Sequence, residues 1–162
     1  MKPNEILQVN IEEKLAVFFQ GYITCFKDYD IDNLKKYYQL PCTLSTPDKL
    51  ILVQSTEAFM QEFSEIFMQL KNANTNDFNF SQITYTEVNN ALTVVGGQWT
   101  FINDQQEVFA AFFACYHILA ENNSFKIVNV MSHEVENSVT FAEKLTLSEE
   151  QNNPLNLNKS NQ

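Results

Sequence analysis

Arginine is absent from this chain of 162 residues, so all ten of its basic side chains are lysines. The planar fork that grips phosphate or carboxylate through two parallel hydrogen bonds is therefore missing. With a formal net charge of -10 and an isoelectric point near 4.5, the surface repels polyanions, and nucleic acid is not an expected partner. Glycine and proline are also scarce, at three and four residues, which fits long elements joined by amide-rich turns. The three cysteines, Cys25, Cys42 and Cys115, form no CxxC or Cys/His spacing and read as reduced thiols. There is no HxH, HExxH or carboxylate-rich cluster, so neither a metal nor another cofactor is expected. A GxSxG elbow, a Walker-type loop and a dinucleotide fingerprint are likewise missing. No run approaches the ~20 apolar residues of a membrane span, and the opening lacks the apolar region of a secretory signal, so the cytoplasm is the expected location.

What the chain has in quantity is aromatic: 14 Phe, 6 Tyr and one Trp, enough large rings to line a large interior. Its length suits one domain around one core. Asn10 and Glu13 have capping-box spacing and predict the start of a first helix, along which Ile11, Leu15, Phe18, Phe19, Tyr22 and Phe26 share one face. Asp28 to Asp32 would cap a short second helix carrying Ile31, Leu34, Tyr37 and Tyr38, closed by Pro41. Cys42–Ser45 and Leu50–Gln54 read as a hairpin around Thr46-Pro47-Asp48-Lys49, and Ser55 as the cap of a third helix with a stripe at Phe59, Phe63, Ile66, Phe67 and Leu70. The polar run 72–77 is expected as a loop.

Four long strands then follow, near Phe78–Val88, Leu92–Ile102, Val108–Leu119 and Phe125–Glu134, with short polar turns that force antiparallel neighbours. The fold class is thus α+β: a cone-shaped, curved antiparallel sheet packed on three N-terminal helices. Gly96-Gly97 would supply a bulge or bend for the curvature. In the third long strand Phe112, Ala114, Tyr116 and Ile118 alternate with Phe113, Cys115, His117 and Leu119. Both faces are largely apolar, so one is expected on the helices and the other in a sheet-to-sheet homodimer. Residues 10–135 form the expected domain. The remainder, 136–162, reads as a partly disordered C-terminal extension in which 139–147 could be a strand or a short helix and 148–162 a mobile tail.

This order of elements, with the phrase Tyr22-Ile23-Thr24-Cys25-Phe26-Lys27-Asp28-Tyr29-Asp30-Ile31-Asp32-Asn33-Leu34, resembles the nuclear transport factor 2-like (NTF2-like) superfamily. Its members include ketosteroid isomerases and SnoaL-like polyketide cyclases, and share a cone-shaped, cystatin-like fold. The resemblance places Tyr22 at the isomerases' oxyanion-hole tyrosine and Tyr116 where they keep a protonated aspartic acid. Their catalytic base falls near Thr46, with Asp48 two residues on. Tyr22, Asp48 and Tyr116 are therefore the candidate catalytic residues. Phe18, Tyr22, Tyr37, Phe63, Phe112 and Tyr116 are expected to line a cone that Glu134 could also enter. Two classes of function follow: a pocket for a small hydrophobic molecule, as a binder or as an isomerase, cyclase or dehydratase, and a non-catalytic dimeric protein-interaction module. Whether the chain is an enzyme is left open by its residues.

Overall fold

The structure, a computed structural model, describes the backbone of residues 3–122 and 124–147 and their side chains from residue 11 onward. The first helix, α1 (Pro3–Lys27), runs straight through Asn10, because nothing upstream breaks it and Pro3 suits a first turn. Its stripe of Leu15, Phe18, Phe19, Tyr22 and Phe26 is buried as the periodicity predicts. Asp30 caps α2 (Ile31–Lys35), accepting from the Asn33 amide at 3.1 Å. This helix is shorter than expected. Five residues cannot sustain a helix alone, and Tyr38 instead opens the first strand, β1 (Tyr38–Ser45), paired with Ile127.

β1 and β2 (Leu50–Val53) form the expected hairpin, closed by Thr46 N–H donating to the Lys49 carbonyl at 2.9 Å. Ser55 caps α3 (Thr56–Asn72), whose Phe59, Phe63, Phe67 and Leu70 are buried. The meander comprises β3 (Thr75–Glu87), β4 (Leu92–Asn103), β5 (Val108–Glu121) and β6 (Ser124–His133). β3 starts inside the run expected as a loop, because Thr75 already pairs with Asn103. With β7 (Glu143–Leu145) the sheet has seven strands in the order β2-β1-β6-β5-β4-β3-β7, and only the β1–β6 pair is parallel among them. The sheet is curved and unclosed, with the three helices filling its concave side.

The β3–β4 pairing slips opposite Gly97: Gln82 and Ile83 stand between the partners of Gln98 and Gly96, and Gln82 has φ 51°. The expected bulge is thus at the glycines, with its extra residue on β3, while both glycines stay in register with Cys115 and Ala114 on β5. The glycines also make room. A Cβ at Gly97 would stand 2.6 Å from the Phe80 ring on the concave face, and one at Gly96 would stand 2.6 Å from the Phe113 ring on the convex face.

After β6 the chain makes a 3-10 turn (Val135–Asn137) and returns across the convex face. The Phe141 amide donates to Thr84 Oγ1 at 2.9 Å, and its ring approaches Gly96. The Phe113 and His133 rings lie 4.9 Å apart beneath this strap. Of the two forms expected for 139–147, the strand is taken: Ile83 pairs with Leu145, and Leu145 and Leu147 enter the main core. Phe113, expected in a subunit contact, is therefore only 2% exposed within a single chain. The tail expected at 148–162 lies outside the described residues. Among those described, no helix is long and apolar enough to cross a membrane.

Candidate functional site

Four polar side chains meet at the base of the cone. Trp99 on β4 donates its indole N–H to the Tyr116 hydroxyl on β5 at 2.7 Å, and the hydroxyls of Tyr22 on α1 and Tyr38 on β1 lie 2.6 Å apart. The Tyr116 and Tyr22 rings are neighbours, so the two hydrogen-bonded pairs stand side by side as one row. An indole nitrogen can only donate. Tyr116 therefore accepts from Trp99 and keeps its own proton to donate, while either hydroxyl of the Tyr22–Tyr38 pair can be the donor.

Rings hold this row in place. Trp99 stacks on Phe80 with centroids 4.6 Å apart, Tyr22 meets Tyr116 edge-on at 5.9 Å, and Tyr38 leans on Phe59 at 5.1 Å. Burial raises the three phenols well above their ordinary range, and each phenolate would also be disfavoured by a neighbouring tyrosine. They are neutral donors at any physiological pH. Since the unfolded chain loses these protons near pH ~10 and the folded chain does so only higher, stability is expected to fall as pH rises through that value. Urea unfolding between pH 7 and 11 checks this; constant stability across the range would mean that the phenols ionise as if in water.

Beside the row opens a cavity of about 200 Å³ lined by Tyr22, Tyr38, Phe63, Trp99, Phe112 and Tyr116, with Phe26, Phe101, Leu44, Ile51, Ile66 and Val130 completing its apolar wall. Ser45, Thr46 and Ser132 add hydroxyls, and Glu62 on α3 contributes a half-buried carboxylate. Thus Tyr22, Phe63, Phe112 and Tyr116 share one cavity. The other expected residues lie elsewhere. Phe18 sits one turn before Tyr22 on α1, where its ring meets Tyr37 and Phe125 at 4.9 and 5.9 Å. Phe18 and Tyr37 instead line a separate cleft of about 490 Å³ with Gly21, Asp30 and Lys126. Cys25 borders that cleft, and burial, with Asp30 and Asp28 nearby, pushes its thiol to about 11. Asp48 is exposed in the hairpin turn, because Pro47 and the closing Thr46–Lys49 bond turn it away from the sheet. Glu134 is fully exposed at the start of the strap, its carboxyl lowered by hydrogen bonds from its own backbone and from Asn137.

Two residues here are not expected from the sequence: Tyr38, whose spacing puts it on the second helix, and Glu62, beside the apolar stripe of α3. For Trp99 the sequence leaves cavity wall and subunit contact open, and the structure places it in the cavity wall. Among the described residues no group of three or more metal-ligating side chains comes together.

A curved sheet over three helices has counterparts among known proteins. The family model described as NTF2-like protein (DUF6841) matches residues 12–135. The chain belongs to this NTF2-like family. Its fold is similar to an NTF2-like protein with a cystatin-like fold from Novosphingobium aromaticivorans, with a TM-score of 0.69 and 8% identity over 84% of this chain and 89% of that one. It is also similar to an NTF2-like protein of unknown function from Pseudomonas putida KT2440, with a TM-score of 0.64 and 9% identity over 82% and 94% of the two chains. A protein of unknown function with a cystatin-like fold from Nostoc punctiforme PCC 73102 gives a TM-score of 0.62 and 10% identity over 74% and 87%. Likeness at this identity shows the fold alone. The comparison with curated proteins finds no match.

Proposed function

We propose that this NTF2-like protein binds a small hydrophobic molecule in the cone cavity, holding a carbonyl or phenol oxygen of that molecule at the tyrosine row. The observation that carries this reading is the convergence of Tyr22, Tyr38 and Tyr116 on one apolar cavity, oriented from one end by the Trp99 N–H. A row of neutral hydroxyls in a water-poor wall is pre-set to meet an oxygen, and the surrounding rings supply the apolar contact. Turnover would require a carboxylate beside the held oxygen. Asp48 and Glu134 both stand in solvent, so binding is favoured over isomerase, cyclase or dehydratase chemistry through those two residues.

Screening apolar ketones and phenols by thermal shift tests the reading. Tyr22→Phe is expected to weaken a true ligand by about 0.5–1.5 kcal/mol, the usual net worth of one neutral hydrogen bond. Absence of any stabilising phenol or ketone, or equal binding by wild type and Tyr22→Phe, would sink it.

The homodimer remains a proposal on a different footing. Leu50, Leu52 and Met131 are 68%, 54% and 47% exposed. The register places them on the same convex face as Cys115, outside the ground covered by the strap. That patch, and not Phe113, is what supports a sheet-to-sheet contact.

A further inference from the structure

Among the described residues lining the cone cavity, Glu62 is the only one that carries a charge, and no lysine shares the wall with it. The tyrosines enter this wall from α1, β1 and β5, while Glu62 enters it half-buried from α3, one residue before Phe63. We propose that the cavity selects two-ended molecules: an oxygen for the tyrosine row and a protonated amine for Glu62. This rests on the cavity being a ligand site, as proposed above, and adds the charge class of what it takes.

Three features favour a cation over an acid. A carboxylate at the edge of an apolar cavity is screened less than one in open water, so it attracts an ammonium group and repels an anion more strongly than a surface residue would. The cavity wall includes the rings of Phe63, Trp99 and Phe112, and aromatic rings attract cations in preference to anions. A net charge of -10 adds a field of the same sign around the mouth. Against this, a free acid would have to enter a wall without a single basic side chain among its described residues. Simple fatty or aromatic acids are thereby disfavoured.

The test uses matched phenols that differ only at the far end: tyramine, tyrosol and 4-hydroxyphenylacetate, carrying an amine, an alcohol and a carboxylate. The amine is repeated with a four-carbon tether so that the result does not depend on one length. By calorimetry at low salt, the better-fitting amine is expected to bind about three- to tenfold more tightly than the alcohol, and the acid more weakly than either. Glu62→Gln should abolish the amine's advantage, leave tyrosol unchanged and partly restore the acid. The advantage should also shrink in 0.5 M salt. Equal binding of all three phenols, or an amine preference that survives Glu62→Gln, overturns the charge selection while leaving the phenol site standing. If no member of the set binds, the cavity reading fails and this inference with it. A circular dichroism check that Glu62→Gln is folded separates lost selectivity from lost structure.

Discussion

Replacing Trp99 by alanine is expected to cost about 3–5 kcal/mol, the range for deleting a large buried ring. The indole is 2% exposed, stacks on Phe80 and donates to Tyr116, so its removal leaves a void and a buried phenol without its donor. Trp99→Phe divides these terms. The ring is largely kept and the N–H is lost, so a smaller cost of about 1–3 kcal/mol is expected, the penalty for leaving a buried polar group short of a partner. Urea unfolding followed by circular dichroism measures both. If the phenylalanine variant loses as much as the alanine variant, the hydrogen-bonded row outweighs the packing. If the alanine variant loses under about 1 kcal/mol, the ring is not a structural pillar of the cone.

A chain ending at His133 is expected to lose far more than one ending at Leu147. The shorter chain lacks the strap, and with it two leucines that are 7% and 1% exposed, Leu145 and Leu147, as well as the Phe141 contacts over Gly96 and Thr84. Each buried leucine is worth about 2–5 kcal/mol, so the sum is comparable with the ~5–15 kcal/mol that holds a typical domain together. The truncation also strips β7 from β3 and leaves that strand as an open edge. Unfolding or association is the expected outcome by size-exclusion chromatography, with the chain ending at Leu147 as the reference. A well-folded monomer of unchanged stability ending at His133 would show that the strap is an ornament. Leu147→Ala, expected to lose about 2–5 kcal/mol, isolates one of its anchors.

The architecture was legible where periodicity is long and unambiguous. The stripes of α1 and α3, the Ser55 cap and the alternation along β5 all read directly, and the last of these put Tyr116 on the helix side and Phe113 on the other. Legibility failed where two local signals competed. Ile31, Leu34, Tyr37 and Tyr38 have helical spacing, but pairing of Tyr38 with Ile127 prevailed, and a phenol of the site was lost to the reading. Gly96-Gly97 does mark the bulge, though its extra residue is on β3, and the glycines also give clearance to Phe113 and Phe80, a role that depends on rings brought from other strands. The strap was the hardest to foresee. Its anchors are three apolar residues in a polar stretch, Phe141 over Gly96 and Leu145 and Leu147 in the main core, and their places exist only once the sheet is assembled. Glu62 was missed for a similar reason, since one polar residue on the flank of a helix acquires meaning only from the cavity it borders.

The single tryptophan of the chain is also the residue that both walls the cavity and starts the hydroxyl row. Light absorbed at the red edge of the protein's spectrum is therefore absorbed at one place, and the emitted colour reports the polarity of that place and of no other. A molecule that enters the cone and expels solvent shifts the emission to the blue, whereas one that binds the convex face leaves it unaltered. The protein thus carries its own optical probe at the position where occupancy has to be read, with no label to attach and no second indole to subtract.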